Sequence, residues 1–201
     1  MAVLTIAALL AQAAAPIPAL PDVPSDVQAA MPIAIERRMA TLYDEACLQA
    51  FPIDSAVDTL MAAKGATPLT PEQVKVTLVD DPGRGWSIKD GEREILVFLE
   101  LPPFHACSVR RFTEVVDPAL SQYRPVTDAF EKGHPGFTPM KPYDADRSDI
   151  HVHAVGEQRM LPGGGAESLF VFDQHVIDPE RRAKGDTAIN LRFVHQIKTP
   201  Q

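Results

Sequence analysis

Cys47 and Cys107 are the only cysteines in the chain, and the residues ahead of them indicate what the thiols are for. A largely apolar run from Ala2 to Leu10 leads into small residues that end in the steps Ala11-Gln12-Ala13 and Ala13-Ala14-Ala15. This is the pattern of a secretory signal peptide over residues 1–15, although no Lys or Arg precedes Arg37 to supply the usual basic leader. The run is shorter than the roughly 20 residues a membrane-spanning helix requires, so cleavage is expected rather than anchoring. The expected destination is the periplasm or the exterior, where two thiols in one small chain pair. A Cys47–Cys107 disulfide would close a long loop of the unfolded chain, worth roughly 4 kcal/mol in loop-closure entropy. The competing chemistry is a cysteine nucleophile, because His105 and Cys107 lie two apart on a strand and share a face. An exported thiolate needs a reducing partner, and no spacing fixes a third, orienting residue.

Proline divides the chain next. Of nineteen prolines, Pro16, Pro18, Pro21, Pro24 and Pro32 crowd the region after the leader. Fixed φ and missing N–H donors make residues 16–30 an extended tether, leaving residues 31–201 as a single globular domain. The formal net charge of −8 opposes binding to nucleic acid. Arg110 with Arg111, and Arg181, Arg182 with Lys184, read as solvated surface. No second apolar stretch approaches membrane length, so the mature chain is expected to carry no transmembrane segment.

The hydrophobic period then changes along the domain. From about Ile33 to Ala50, apolar Ile35, Met39, Leu42, Tyr43, Ala46 and Cys47 recur at helical spacing, with Glu36, Arg37, Arg38, Asp44 and Glu45 on the remaining surface. A second helix is expected from Ser55 as N-cap to Gly65 as stop. Thr70-Pro71-Glu72-Gln73 signals another helix start, yet Val74, Val76 and Leu78 alternate like a strand. Beyond Asp80-Asp81-Pro82-Gly83 the period becomes two: Trp86 and Ile88, a turn at Asp90-Gly91, then Ile95, Val97 and Leu99. A strand at 105–112, a helical pair at 118–123 and 126–132 interrupted by Pro125, and strands at 149–156, 168–175 and 187–197 complete the pattern. The expected class is α+β, with N-terminal helices packed on an antiparallel sheet of five to six strands and a helical insertion.

Candidate site residues are few. Asp149, His151 and His153 would project from one strand face, with Asp144, Asp146, His175 and His195 available elsewhere as further zinc-type ligands. The plainer reading is a solvated strand face backed by Ile150, Val152 and Ala154. Trp86 with Arg84 forms a candidate ligand-stacking pair, or else a core anchor. Pro162-Gly163-Gly164-Gly165 lacks the Lys-Ser or Lys-Thr of a phosphate loop and reads as a connection between strands. No cofactor is implied.

The segments Glu45-Ala46-Cys47-Leu48 before Phe51-Pro52, Asp80 to Trp86, and Pro102 to Val109 together resemble a family of small, uncharacterised secreted proteins of Gram-negative bacteria. The resemblance spans about residues 43–111. It implies a paired-cysteine envelope domain and no activity. The expectation is therefore a periplasmic or secreted, non-catalytic binding or envelope-accessory protein whose partner is an envelope protein or a small ligand. The alternatives are a small hydrolase or metal-dependent enzyme working from His151 and His153, and a subunit of a larger assembly.

Overall fold

A computed structural model describes residues 25–200, with side-chain environments from Ala34 onward. The signal-peptide and cleavage expectations, and most of the tether, lie outside the described residues. Helix α1 runs Ser25–Tyr43 and continues into a π-helical segment, Asp44–Ala50. The expected 33–50 helix therefore starts earlier, at Ser25, and ends at Ala50 as expected, with its last seven residues π-helical. Helix α2 is Asp54–Ala63, capped at Ile53 without a side-chain hydrogen bond. Ser55 is thus inside the helix rather than at its N-cap, while Gly65 supplies the left-handed stop at φ 65°. The ambiguous 70–78 segment is helix α3, Pro71–Leu78, because Thr70 and Gln73 close a reciprocal capping box with Pro71 at the first helical position. Helix α4, Tyr123–Gly133, accommodates Pro125 in its first turn, where no intrahelical N–H is needed, so the expected pair is one helix. Helix α5 is the short Pro179–Ala183.

Among the described residues the nine strands are β1 Thr67–Pro68, β2 Gly83–Asp90, β3 Arg93–Glu100, β4 Ala106–Thr113, β5 Thr138–Pro139, β6 Tyr143–Arg147, β7 Ile150–Met160, β8 Ala166–Val176 and β9 Ile189–Lys198. The expectation of five to six strands falls short because β1, β5 and β6 are short and carry little apolar alternation. All pair antiparallel in one sheet of order β1-β2-β3-β4-β9-β8-β7-β5, with β6 also on β7. The glycine-rich residues 161–165 connect β7 to β8.

Directly opposed residues of an antiparallel ladder share a face, so the register defines both sides of the sheet. The inner face presents Val97, Leu99, Cys107, Val109, Leu169, Val171, Leu191 and Phe193 to Met39, Tyr43, Ala46, Cys47 and Phe51 of the helical layer, forming the main core. The Cys47–Cys107 disulfide crosses this core with the Cα atoms 5.2 Å apart, joining the π-helical segment to β4. Arg111 ion-pairs with Asp90, and Arg38 reaches the same carboxylate at 2.7 Å, so α1 is tied to the end of β2. On the outer face α3 places Val74 and Leu78 against Phe98. Gly85 makes room there, since a Cβ would stand 2.9 Å from the Phe98 ring.

Candidate functional site

Along the β7–β8 part of the inner face the side chains change from apolar to titratable. In one cross-strand row Asp146, His151 and His175 stand side by side, and in the next come Asp144, His153 and Asp173. Asp146 Oδ1 is 2.8 Å from His151 Nδ1, and the His151 and His175 rings lie 5.1 Å apart. This hydrogen bond to Asp146 is the main influence holding the His151 pKa above the ordinary histidine range. His153 Nδ1 lies 2.9 Å from Asp173 Oδ2. If Nδ1 carries the hydrogen, that bond fixes the ring with Nε2 as the acceptor.

The structure therefore brings together three of the four residues singled out as metal ligands: His151, His153 and His175. It does not bring Asp149 to them, because Asp149 ion-pairs with Arg181 beyond the start of β7. His151 is engaged by Asp144 and Asp146 and His153 by Asp173, and among the described residues no group of three His, Cys, Asp or Glu side chains is arranged to hold a metal ion. His195 is remote from these rows and buried. Trp86 is a core residue, and the Arg84 guanidinium beside it is held by both carboxylate oxygens of Asp58 at 2.7 and 2.8 Å. Two of its five N–H donors are thereby used inside the fold.

Beside His153 the sheet and the 116–120 segment enclose a cleft of about 410 Å³. Val155, Val171 and Ile189 form its floor, Val116, Pro118 and Leu120 its opposite wall, and Asp117, Arg124, His153, Asp173 and His175 its polar groups. The wall is a constructed turn. The Asp117 carboxylate accepts from Ala119 N at 2.9 Å, Ser121 N at 3.0 Å and Ser121 Oγ at 2.6 Å, and the Ser121 bonds hold its pKa below the usual range. Asp117 N in turn donates to Glu36 Oε1 at 2.5 Å. Glu36 was expected on the polar side of α1, but it is fully buried and its pKa is raised to about 7, chiefly by desolvation. Arg124 is positioned by Glu157 at 2.5 Å. Burial, followed by the hydrogen bond and charge of Glu157, raises Glu131 behind this pair to about 7.

Comparison with protein-family models, curated proteins and solved structures gives no match to this chain. A cleft with an apolar floor and a few convergent polar groups suits a small molecule held without covalent bonds. None of its lining residues carries a hydroxyl or a thiol.

Sequence reasoning missed a second polar cluster. His195 places Nδ1 2.6 Å from the Cys47 carbonyl and Nε2 2.8 Å from Glu167 Oε1, while Arg159 binds the other carboxylate oxygen. The largest influence on Glu167 is burial, which raises its pKa, but His195 and Arg159 outweigh it and leave the carboxyl below its ordinary value. Only the alternation of β8 and β9 hinted that Glu167 and His195 face inward, and their pairing became visible only with the strand order.

Proposed function

We propose that the chain is a periplasmic or secreted, non-catalytic binding domain whose ligand is a small molecule with an apolar body and a hydrogen-bonding head. The carrying observation is the 410 Å³ cleft with the His153–Asp173 pair at its edge. The apolar body lies over Val155, Val171 and Ile189, and the head meets His153, His175 or Arg124. The intramolecular disulfide supports an extracytoplasmic location, and among the described residues no helix is long and apolar enough to cross a membrane. The resemblance over residues 43–111 to secreted paired-cysteine proteins points the same way. An envelope protein as an additional partner belongs to the same reading.

Histidine-labelled protein titrated with hexanol and with hexanoate tests this. The expected result is saturable movement of the His153 and His175 ring resonances with at least one probe, abolished in Ile189→Trp, which fills the floor. Unmoved resonances with both probes, or equal shifts in Ile189→Trp, would overturn the reading.

A second reading rests on the His153–Asp173 bond, which is the base-and-orienter half of a hydrolase or metal-dependent enzyme acting on water. Its test is hydrolysis of p-nitrophenyl acetate, with and without zinc. It requires turnover above buffer that disappears in His153→Gln, and equal rates in the two proteins exclude it.

A further inference from the structure

On the outer face of the sheet, away from the cleft, Arg110 of β4 and Arg192 of β9 stand directly opposite each other. Like charges in this position destabilise a sheet unless something compensates them. Arg110 was expected to be solvated surface, yet it is only 9% exposed, and Arg192 opposite it is partly buried. Each guanidinium lies over a ring, with Arg110 Cζ 4.4 Å from the Phe98 centroid and Arg192 Cζ 4.8 Å from that of Phe172. Stacking orients the planes and satisfies their faces, but it leaves the N–H edges without acceptors.

Those edges are poorly supplied within the protein. Among the described residues the Nε atoms of Arg110 and Arg192 are buried without a hydrogen-bond partner. Arg110 reaches only Ser108 Oγ, at 3.4 Å. Burial, then the charge of Arg192, pulls Arg110 down to about 9. Glu100 is the carboxyl that offsets this, but its own pKa is raised by burial and by Asp81. Two planar forks held rigidly by aromatic rings, sharing one side of adjacent strands and lacking a paired carboxylate, form an arrangement whose missing component is an anion.

We propose that Arg110 and Arg192 form an oxyanion-binding site on the outer sheet face, which takes the carboxylate or phosphate group of a small ligand between the two guanidiniums. The site is local and opposite in sign to the molecule's net charge of −8. It is distinct from the cleft and does not depend on it.

The test uses the full chain labelled on arginine nitrogen, with inorganic phosphate and acetate as probes at constant ionic strength set by chloride. The Nε–Hε resonances of Arg110 and Arg192 are expected to move together and saturably. Arg192→Gln should weaken that binding by at least about tenfold, the loss of one charge-assisted bidentate contact. Arg192→Lys keeps the charge without the fork and should fall between, so the question stays answerable if the glutamine variant fails to fold. Tighter binding of phosphate identifies a phosphate ester as the ligand class, and tighter binding of acetate identifies a carboxylate. Shifts that chloride reproduces, or affinity unchanged in both variants, overturn the proposal.

Discussion

Glu36 shows most clearly how one residue couples the core to the cleft. Its carboxyl is fully buried on α1, one oxygen accepts the Asp117 amide, and the other has no partner among the described residues. Desolvation penalises the ionised form, so the folded state holds this proton up to about pH 7, against an ordinary value of 4.5. Because the native state binds the proton more tightly than the unfolded chain does, the stabilisation is complete below about pH 4.5 and is lost as pH rises through 7. Glu36→Gln keeps a carbonyl oxygen for Asp117 and removes the titration. The variant should match the parent near pH 4.5 and exceed it above pH 7 by up to about 3 kcal/mol, which paired melting curves across that range would reveal. Equal slopes in both proteins would contradict the assignment. His195 offers a second test at this scale. Replacing it with Phe leaves Glu167 buried with Arg159 alone and strands the Cys47 carbonyl, so stability should fall by about 3 kcal/mol in denaturant unfolding.

At the scale of elements, the disulfide connects the two halves of the architecture, since it holds the π-helical segment against β4 inside the core. Replacing both cysteines with serine removes a constraint on the unfolded chain worth roughly 4 kcal/mol. Urea unfolding should show the midpoint falling, whereas an unchanged midpoint would mean that the helical layer docks without it. The helix–strand character of this connection was legible in the sequence because Cys47 continues a 3.6-residue stripe and Cys107 lies in a run of period two. The long strands β2, β3, β4, β7, β8 and β9 were legible for the same reason. What stayed hidden was carried by pairing rather than pattern. Val74, Val76 and Leu78 alternate like a strand, but the Thr70–Gln73 capping box makes the segment helical. The titratable rows depend on β6 and β8 flanking β7, which no spacing within His151-Val152-His153 specifies. Glu36 was misread because a helix covered on more than one side buries positions that a single-stripe rule assigns to solvent.

The described sheet is organised around β9. Strand β9 lies between β4 and β8 and uses both edges over most of its length, so it joins the β1–β4 part of the sheet to the β5–β8 part. Its inward residues Leu191, Phe193 and His195 are fully or almost fully buried and meet both the helical layer and the Glu167 cluster. Outward it supplies Arg192 to the arginine pair, and at its start Ile189 lines the cleft. Both proposed sites therefore require β9. A chain ending at Ala188 loses all of these contacts and exposes two long, unpaired edges on β4 and β8, each open to pairing with another chain. Removal of such a central strand cannot be compensated locally, because no other described strand is free to bridge the two parts. The truncated protein is expected to show no cooperative thermal transition by near-ultraviolet circular dichroism and to associate at micromolar concentration. A sharp transition retained in the truncated chain would show that the β1–β4 part and its helices are an independent folding unit. With β9 present, sheet closure depends on contacts distant in sequence, so refolding of the oxidised protein is expected on the millisecond-to-second scale typical of non-local β-topologies. Stopped-flow measurement of Trp86, which is buried in the core on β2, would report whether that part forms before β9 docks.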